Sequence, residues 1–276
     1  MAHPTSLRFA SLTKPGLVLF AALLLAAIAV VLAPHAFASG SGNYAFEYYA
    51  GGYQSYNGVG VSANMSQHVP VLSEPPGGTA WFDSTALIRA VSPDNNEVVE
   101  AGWLVSSTIN GDGGANAHLF VRKIDHGTGC FNNMGPGSTC GFIPYSTTHT
   151  IGMVLTPTTT PQNFVIEHYY GNWWIGYQGD WVGYFPDSAW STPFTTIGSV
   201  GWYGRVGSTN STPCADMGNG LYGTQTGSAV FTNMSLITPN YSYIAAKATP
   251  YMTNAQWYNV GAFYGSSFQY GGPGDC

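Results

Sequence analysis

Helical periodicity is nearly absent from this chain beyond its first forty residues. Short runs rich in Val, Ile, Tyr, Phe and Trp alternate instead with clusters of Gly, Pro, Asn and Ser. That rhythm is the pattern of an all-β protein. Ten strands are expected, at 58–63, 87–91, 98–105, 117–122, 148–155, 163–170, 172–178, 180–185, 197–206 and 229–236. Ten strands without intervening helices fit an antiparallel sandwich or barrel. Gln178-Gly179-Asp180 reads as a tight hairpin turn and Tyr170-Gly171-Asn172 as another, so 163–185 is expected to form a meander. Two stretches, Tyr48 to Tyr53 and Trp257 to Gly272, are rich in Gly, Tyr and Ser and read as less ordered.

The first residues have a different character. Arg8 and Lys14 form a short basic region, and an uncharged run of Leu, Ala and Val follows from Gly16 to Ala33. Ala36-Phe37-Ala38 then offers the small residues of a signal-peptidase site. The expected organisation is a signal peptide at 1–38, a short linker at 39–44, a β-sandwich domain at 45–237 and an aromatic, Gly-rich extension at 238–276. Secretion is the expected destination. A membrane partner is expected only if the signal segment stays uncleaved.

Charge narrows the partners. Charged residues make up only 7% of the chain, against the usual quarter. Loss of Arg8 and Lys14 with the leader leaves 5 basic residues against 13 acidic. Nucleic acid is excluded as a partner, because its binding rests on phosphate neutralisation. Few carboxylates need stay ionised for such a fold to survive acid.

Four cysteines, Cys130, Cys140, Cys214 and Cys276, read as two disulfides in an exported chain. Three pairings are possible. Cys130 with Cys140 closes a short loop through the turn-forming Met134-Gly135-Pro136-Gly137. Cys214 with Cys276 then ties the C-terminal extension back to the body. No C-x-x-C spacing occurs and the His residues are scattered, so no metal or cofactor is expected. His118, His126, His149 and His168 are too dispersed to name a catalytic triad and read as structural. Neither a G-x-S-x-G elbow nor an H-E-x-x-H helix is present.

One carboxylate stands out. Glu100 lies beside a Gly-Trp inside the apolar run Val98-Val99-Glu100-Ala101-Gly102-Trp103-Leu104-Val105. A similar run follows at Ser199-Val200-Gly201-Trp202-Tyr203-Gly204-Arg205-Val206. Around these lie Gly129-Cys130-Phe131-Asn132, Cys140-Gly141-Phe142, Gly171-Asn172-Trp173-Trp174, Val182-Gly183-Tyr184-Phe185-Pro186 and Met217-Gly218-Asn219-Gly220. In this order, from about Ala45 to Leu236, the pieces resemble the neprosin domain of secreted glutamic-type prolyl endopeptidases.

The resemblance implies an antiparallel β-sandwich with a cleft across one face. Two glutamates work there, one activating water and the other acting as acid, with cleavage after proline. The first glutamate maps onto Glu100. Arg205 stands at the position of the second. Two close carboxylates split their pKa values and so supply an acid and a base at one pH. An Arg facing Glu100 would pair with it and hold it ionised, so a Glu100–Arg205 salt bridge is expected. Glu167 and Asp216 are the substitute acids to consider.

Trp103, Trp173, Trp174 and Tyr184 are the expected floor of the substrate cleft. Their faces suit proline rings and equally sugar rings. Two functions therefore stand side by side. One is a peptidase on proline-rich extracellular polypeptide, impaired by Arg205. The other is a non-catalytic secreted module that binds proline-rich polypeptide or polysaccharide through the aromatic cleft.

Overall fold

The computed structural model describes residues 45–73, 82–132 and 140–275. The expected signal peptide, the linker, the loop between Cys130 and Cys140, and Cys276 fall outside the described residues in whole or in large part. The strands run in chain order as β1 (Phe46–Gly58), β2 (Gly60–Gln67), β3 (Phe82–Val91), β4 (Glu97–Ser106), β5 (Ala117–Asp125), β6 (Thr128–Phe131), β7 (Ile143–Pro144), β8 (Val154–Leu155) and β9 (Thr158–Tyr169). They continue as β10 (Asn172–Tyr177), β11 (Asp180–Pro186), β12 (Ile197–Ser208), β13 (Ala229–Ile237), β14 (Tyr243–Ala245), β15 (Thr249–Met252), β16 (Asn259–Val260) and β17 (Phe268–Gly271).

Two antiparallel sheets form the expected sandwich. Sheet A runs β15-β1-β12-β3-β4-β5-β6, with β8 also on β5. Sheet B runs β16-β17-β13-β2-β9-β10-β11-β7, with β14 also on β13. The core between them takes alternate residues of each strand, such as Val99, Ala101, Trp103 and Val105 of β4 with Phe164 and Ile166 of β9. Two indoles tie the layers together. The Trp103 N–H donates to the Ser66 carbonyl at 2.9 Å and the Trp202 N–H to the Ser62 carbonyl at 3.1 Å. Both acceptors belong to β2 of the facing sheet. The tryptophans of the two Gly-Trp runs are thus inter-sheet struts whose polar ends are satisfied.

The remaining motif pieces serve the same packing. Met217 is fully buried and lies 2.7 Å from where a Cβ on Gly204 would stand. Gly204 is therefore bare because Met217 and Tyr270 occupy its space. Gly218 has φ +68, and a Cβ there would meet the Ala229 side chain at 2.5 Å, so only glycine suits the turn.

Three expectations change. Tyr48 to Tyr53 is not loosely ordered but lies within β1, between β12 and β15. Its glycines are packing necessities: a Cβ on Gly51 would meet Tyr203 at 2.4 Å. The C-terminal segment is not an extension. It adds β15 to sheet A and β14, β16 and β17 to sheet B. Of the strand expected at 148–155 only Val154–Leu155 forms. Ser146 Oγ accepts from the N–H groups of Thr148 and His149, a local bonding that competes with strand pairing. The Cys130–Cys140 disulfide is present, with Cα atoms 5.6 Å apart. The expected partner of Cys214 lies outside the described residues.

Candidate functional site

Strand alternation gives β4 two unlike sides. Val99, Ala101 and Trp103 enter the core, so Glu100, Gly102 and Leu104 point to the other face of sheet A. Glu100 pairs in register with Arg89 on β3 and with Arg122 on β5. A carboxylate therefore sits in a cross-strand row with a guanidinium on either side. Arg122 Nε donates to Glu100 Oε2, and Arg89 Nε lies 3.6 Å from Oε1. The Tyr203 hydroxyl donates to Oε1 from β12.

Glu100 is fully buried. Burial by itself would push its carboxyl up. The charges of Arg122 and Arg89, with the hydrogen bonds from Arg122 and Tyr203, outweigh that and hold it down at about 2. The reverse holds for Tyr203, whose hydroxyl is pushed well up by burial and then by the Glu100 charge. Glu100 is an ionised, fully coordinated acceptor.

Arg205 lies on the same face but in another row, where it pairs with Thr85 on β3 and Tyr49 on β1. It donates to Glu47 Oε1 at 2.5 Å and to Asp83 Oδ2 at 2.7 Å. The Gly207 N–H donates to Asp83 Oδ1 at 2.9 Å, and the Tyr49 hydroxyl to Glu47 Oε2 at 2.7 Å. Burial raises the Asp83 carboxyl, and the Arg205 charge opposes it.

In place of the expected Glu100–Arg205 salt bridge there are two hydrogen-bonded clusters, which act on each other only through longer-range charge. The rows of the two residues differ by four positions on β3, and one strand lies between theirs. At about 3.3 Å per residue and 4.8 Å between strands, their backbones are roughly 16 Å apart. Arg89, Arg122 and Arg205 are all the arginines among the described residues, and all three serve this face.

The substitute acids lie elsewhere. Glu167 is on β9, in register with Trp174 of β10, and so belongs to the outer face of sheet B. It accepts from the Tyr243 hydroxyl at 3.3 Å, and burial raises its carboxyl. Asp216 accepts from the Val71 N–H at 3.4 Å beside the isolated Leu72–Ala215 bridge. Burial raises it too. Neither has an ion pair or hydrogen bond to Glu100 among the described residues.

The expected cleft aromatics divide. Trp103 and Trp173 are core residues, both fully buried, and the Trp173 N–H donates to the Phe194 carbonyl at 2.6 Å. Trp174 and Tyr184 face outward, their rings 4.5 Å apart. They lie on sheet B, not on the face that carries Glu100. Tyr145, Glu167, Tyr169, Trp174 and Trp181 line a cavity there of about 230 Å³. Aromatic walls with one carboxylate suit a ring-bearing ligand.

Sequence reading missed Glu47, Asp83, Arg89, Arg122 and Tyr203. A signal existed for two of them. In a chain with so few basic residues, Ile88-Arg89-Ala90 and Val121-Arg122 put arginines inside apolar strands, where a buried cation requires a partner. Four of the dispersed histidines are each paired with an aspartate. His118 meets Asp112 at 2.9 Å, His126 meets Asp125 at 2.8 Å, His149 meets Asp180 at 3.1 Å and His168 meets Asp187 at 2.8 Å.

A family model described as Neprosin matches residues 83–273. Two solved structures are distantly similar. One is Scytalido-glutamic peptidase with a peptide-based transition state analog, 11% identical, covering 82% of this chain and 98% of that chain with a TM-score of 0.43. The other is SCP-B, a member of the Eqolisin family of peptidases in complex with the tripeptide Ala-Ile-His. It is 9% identical over the same shares of the two chains, also with a TM-score of 0.43.

Proposed function

The chain belongs to the Neprosin family, a family of glutamic-type peptidases, and on that premise we propose that it is a secreted protein acting on proline-containing extracellular polypeptide, with hydrolysis severely curtailed. The secretory leader read from Arg8 to Ala38 supports the destination. The polar face of sheet A, which carries Glu100 and Arg205, is the site.

One observation carries the curtailment: Glu100 is held ionised at about 2 by burial-defying pairs to Arg122 and Arg89, with Tyr203 donating to it. A two-carboxylate hydrolase needs a carboxylic acid to protonate the leaving amine and a carboxylate to take a proton from water. At neutral pH Glu100 cannot be that acid. As a base it is weak, because proton-accepting power falls with pKa. Arg205 cannot replace the missing acid, since guanidinium does not give up its proton. The acids near Arg205, Glu47 and Asp83, are its counter-ions. Loss of one acid–base partner costs about 10²- to 10⁴-fold in rate; with Glu100 withdrawn as a base as well, the deficit against a two-glutamate relative is expected to be at least that large.

The test is proteolysis of a denatured proline-containing polypeptide by the exported chain from acid to neutral pH, with cut sites read by mass spectrometry. The expected result is no cleavage above the level of Glu100→Gln. Cuts clustered after proline and missing from Glu100→Gln would overturn the proposal. Should that variant not fold, Tyr203→Phe removes one hydrogen bond to Glu100 and serves as the second control.

A second reading rests on the cavity walled by Tyr145, Tyr169, Trp174 and Trp181. It makes the chain a binding module that stacks proline or sugar rings on sheet B. Quenching of tryptophan emission by polyproline or by a neutral polysaccharide, lost in Trp174→Ala, would favour it. No quenching by either would remove it.

A further inference from the structure

We propose that Glu97, Asp125 and His126 form a binding site for a divalent transition-metal ion, with zinc the best match, at the end of sheet A where two hairpins meet. The site is separate from Glu100. Glu97 is three positions away on β4 and so turns to the opposite side of the strand.

The local sequence builds it. Glu97 opens β4 and pairs in register with Asp125, which ends β5. Asp125 in turn pairs with Thr128, leaving His126-Gly127 as the two central residues of the hairpin. Their φ values are +48 and +78, as a tight primed turn requires. The His126 N–H is anchored on the Asn96 carbonyl at 2.9 Å, which joins this turn to the one between β3 and β4. The result is that His126 Nδ1 lies 2.8 Å from Asp125 Oδ1 and 3.7 Å from Glu97 Oε1. One ligand atom from each of the three residues lies within 4.8 Å of the other two.

An independent observation points to a ligand. Glu97 is only 1% exposed, yet its Oε1, the oxygen turned toward the imidazole, has no hydrogen-bond partner. A buried carboxylate oxygen without a donor costs stability, and a cation between Glu97, Asp125 and His126 would satisfy it. No Lys or Arg ion-pairs with Glu97 or Asp125 among the described residues. Lys123, the nearest cation on β5, acts on Asp125 through its charge without an ion-pair contact; it donates to the Ala189 carbonyl and lies 5.5 Å over the Trp190 ring. Asp94 adds a third negative charge beside the site; it is engaged by Ser92 and Asn96, and both it and Ser92 also interact with the other side of the Glu97 carboxyl.

The donor set selects the metal. One imidazole nitrogen with two carboxylates suits zinc, with water or the nearby Ser191 hydroxyl in the fourth place. Ser191 Oγ is 3.2 Å from His126 Nδ1 and donates to Asp125 at 2.8 Å. Calcium takes six or more oxygens, and the site does not offer them. The His126 side chain is 49% exposed, which gives the ion a route from solvent. A bound ion would clip the β3–β4 turn, the β5–β6 turn and the segment after β11 together, so it would act on stability and leave the polar face alone.

The experiment is zinc titration of the whole exported chain after chelator treatment, by calorimetry and by thermal unfolding, with calcium as the comparison ion. His126→Gly keeps the positive φ and removes the imidazole; Asp125→Asn keeps the shape and removes a charge. The expected result is one zinc per chain, a raised Tm with zinc and none with calcium, and affinity reduced at least about tenfold in each variant. Absence of zinc binding at millimolar concentration would overturn the proposal. So would binding of equal strength in both variants, which would put the ion on another Asp–His pair.

Discussion

The outer faces of the two sheets are made from different chemistry. That of sheet A carries every arginine among the described residues, each locked to one or two carboxylates: Arg89 and Arg122 on Glu100, and Arg205 on Glu47 and Asp83. The outer face of sheet B carries Trp174, Trp181, Tyr184 and Tyr169 around the half-buried Glu167. On sheet A, charge is balanced and the acids are held ionised or paired. On sheet B, Glu167 has only a tyrosine hydroxyl as a hydrogen-bond partner among the described residues. The lesson is that a carboxylate in a strand becomes a structural counter-ion or a candidate ligand contact according to what the register sets beside it.

The largest expected effect separates neighbours. Trp173 and Trp174 are adjacent, yet the first fills the core against Phe194 and the second lies half-buried on the outer face of sheet B. Trp173→Ala should cost about 3–5 kcal/mol by the cavity it opens, whereas Trp174→Ala should cost about 1 kcal/mol. Denaturant midpoints for the pair would show it. Equal losses would mean that the outer face of sheet B is as structural as the core.

Glu100→Gln comes next. Removing the negative charge leaves Arg122 and Arg89 buried against each other, and half-made buried pairs cost about 3 kcal/mol or more. Equilibrium urea unfolding measures this. A neutral or stabilising result would mean that Glu100 is not the keystone of the row.

Acid should tell the two faces apart. Folding lowers the Glu100 carboxyl from its ordinary 4.5 to about 2. Its contribution is therefore complete above 4.5 and is lost as pH falls from 4.5 toward 2. Folding raises the Glu167 carboxyl, so its ionised form opposes folding at neutral pH and protonation relieves that cost. Stability measured between neutral pH and pH 2 should fall along the lower limb in the native chain, and that limb should flatten in Glu100→Gln. The smallest effect is the reverse one: Glu167→Gln should stabilise the protein at neutral pH by about 0.5 kcal/mol, readable as a small upward shift in Tm.

Much of the sandwich was legible because period-two alternation and turn chemistry are local. The strands at 98–105 and 197–206 are visible as largely apolar runs with one charged residue each. The strand at Phe46–Gly58 was not, because Gly51 and Gly52 look like a loop until Tyr203 and Phe263 are known to fill the space above them. Glu100 was legible as an acid out of place. Its partners were not, since Arg89 and Arg122 reach it through the registers of two separate hairpins. The same limit produced the mistaken pairing of Glu100 with Arg205. Motif similarity puts the two residues in one site, while the register puts them in different rows, each with its own contact partners. Trp103 and Trp173 could be assigned to core or cleft only once the inward face of each strand was fixed. His126 is silent in sequence because its two partners arrive through a hairpin turn and a strand pairing.

The central claim is that Glu100 is a counter-ion held ionised down into strong acid and not an acid or base poised for catalysis. It is tested most directly by following its side-chain carboxyl by carbon NMR in glutamate-labelled protein, assigned with Glu100→Gln, from neutral pH down to pH 2. The expected result is a resonance that keeps its ionised position through its ordinary 4.5 and moves only as the pH approaches 2. A carboxyl that titrates above its ordinary 4.5 would contradict the account and return Glu100 to the role of catalytic acid.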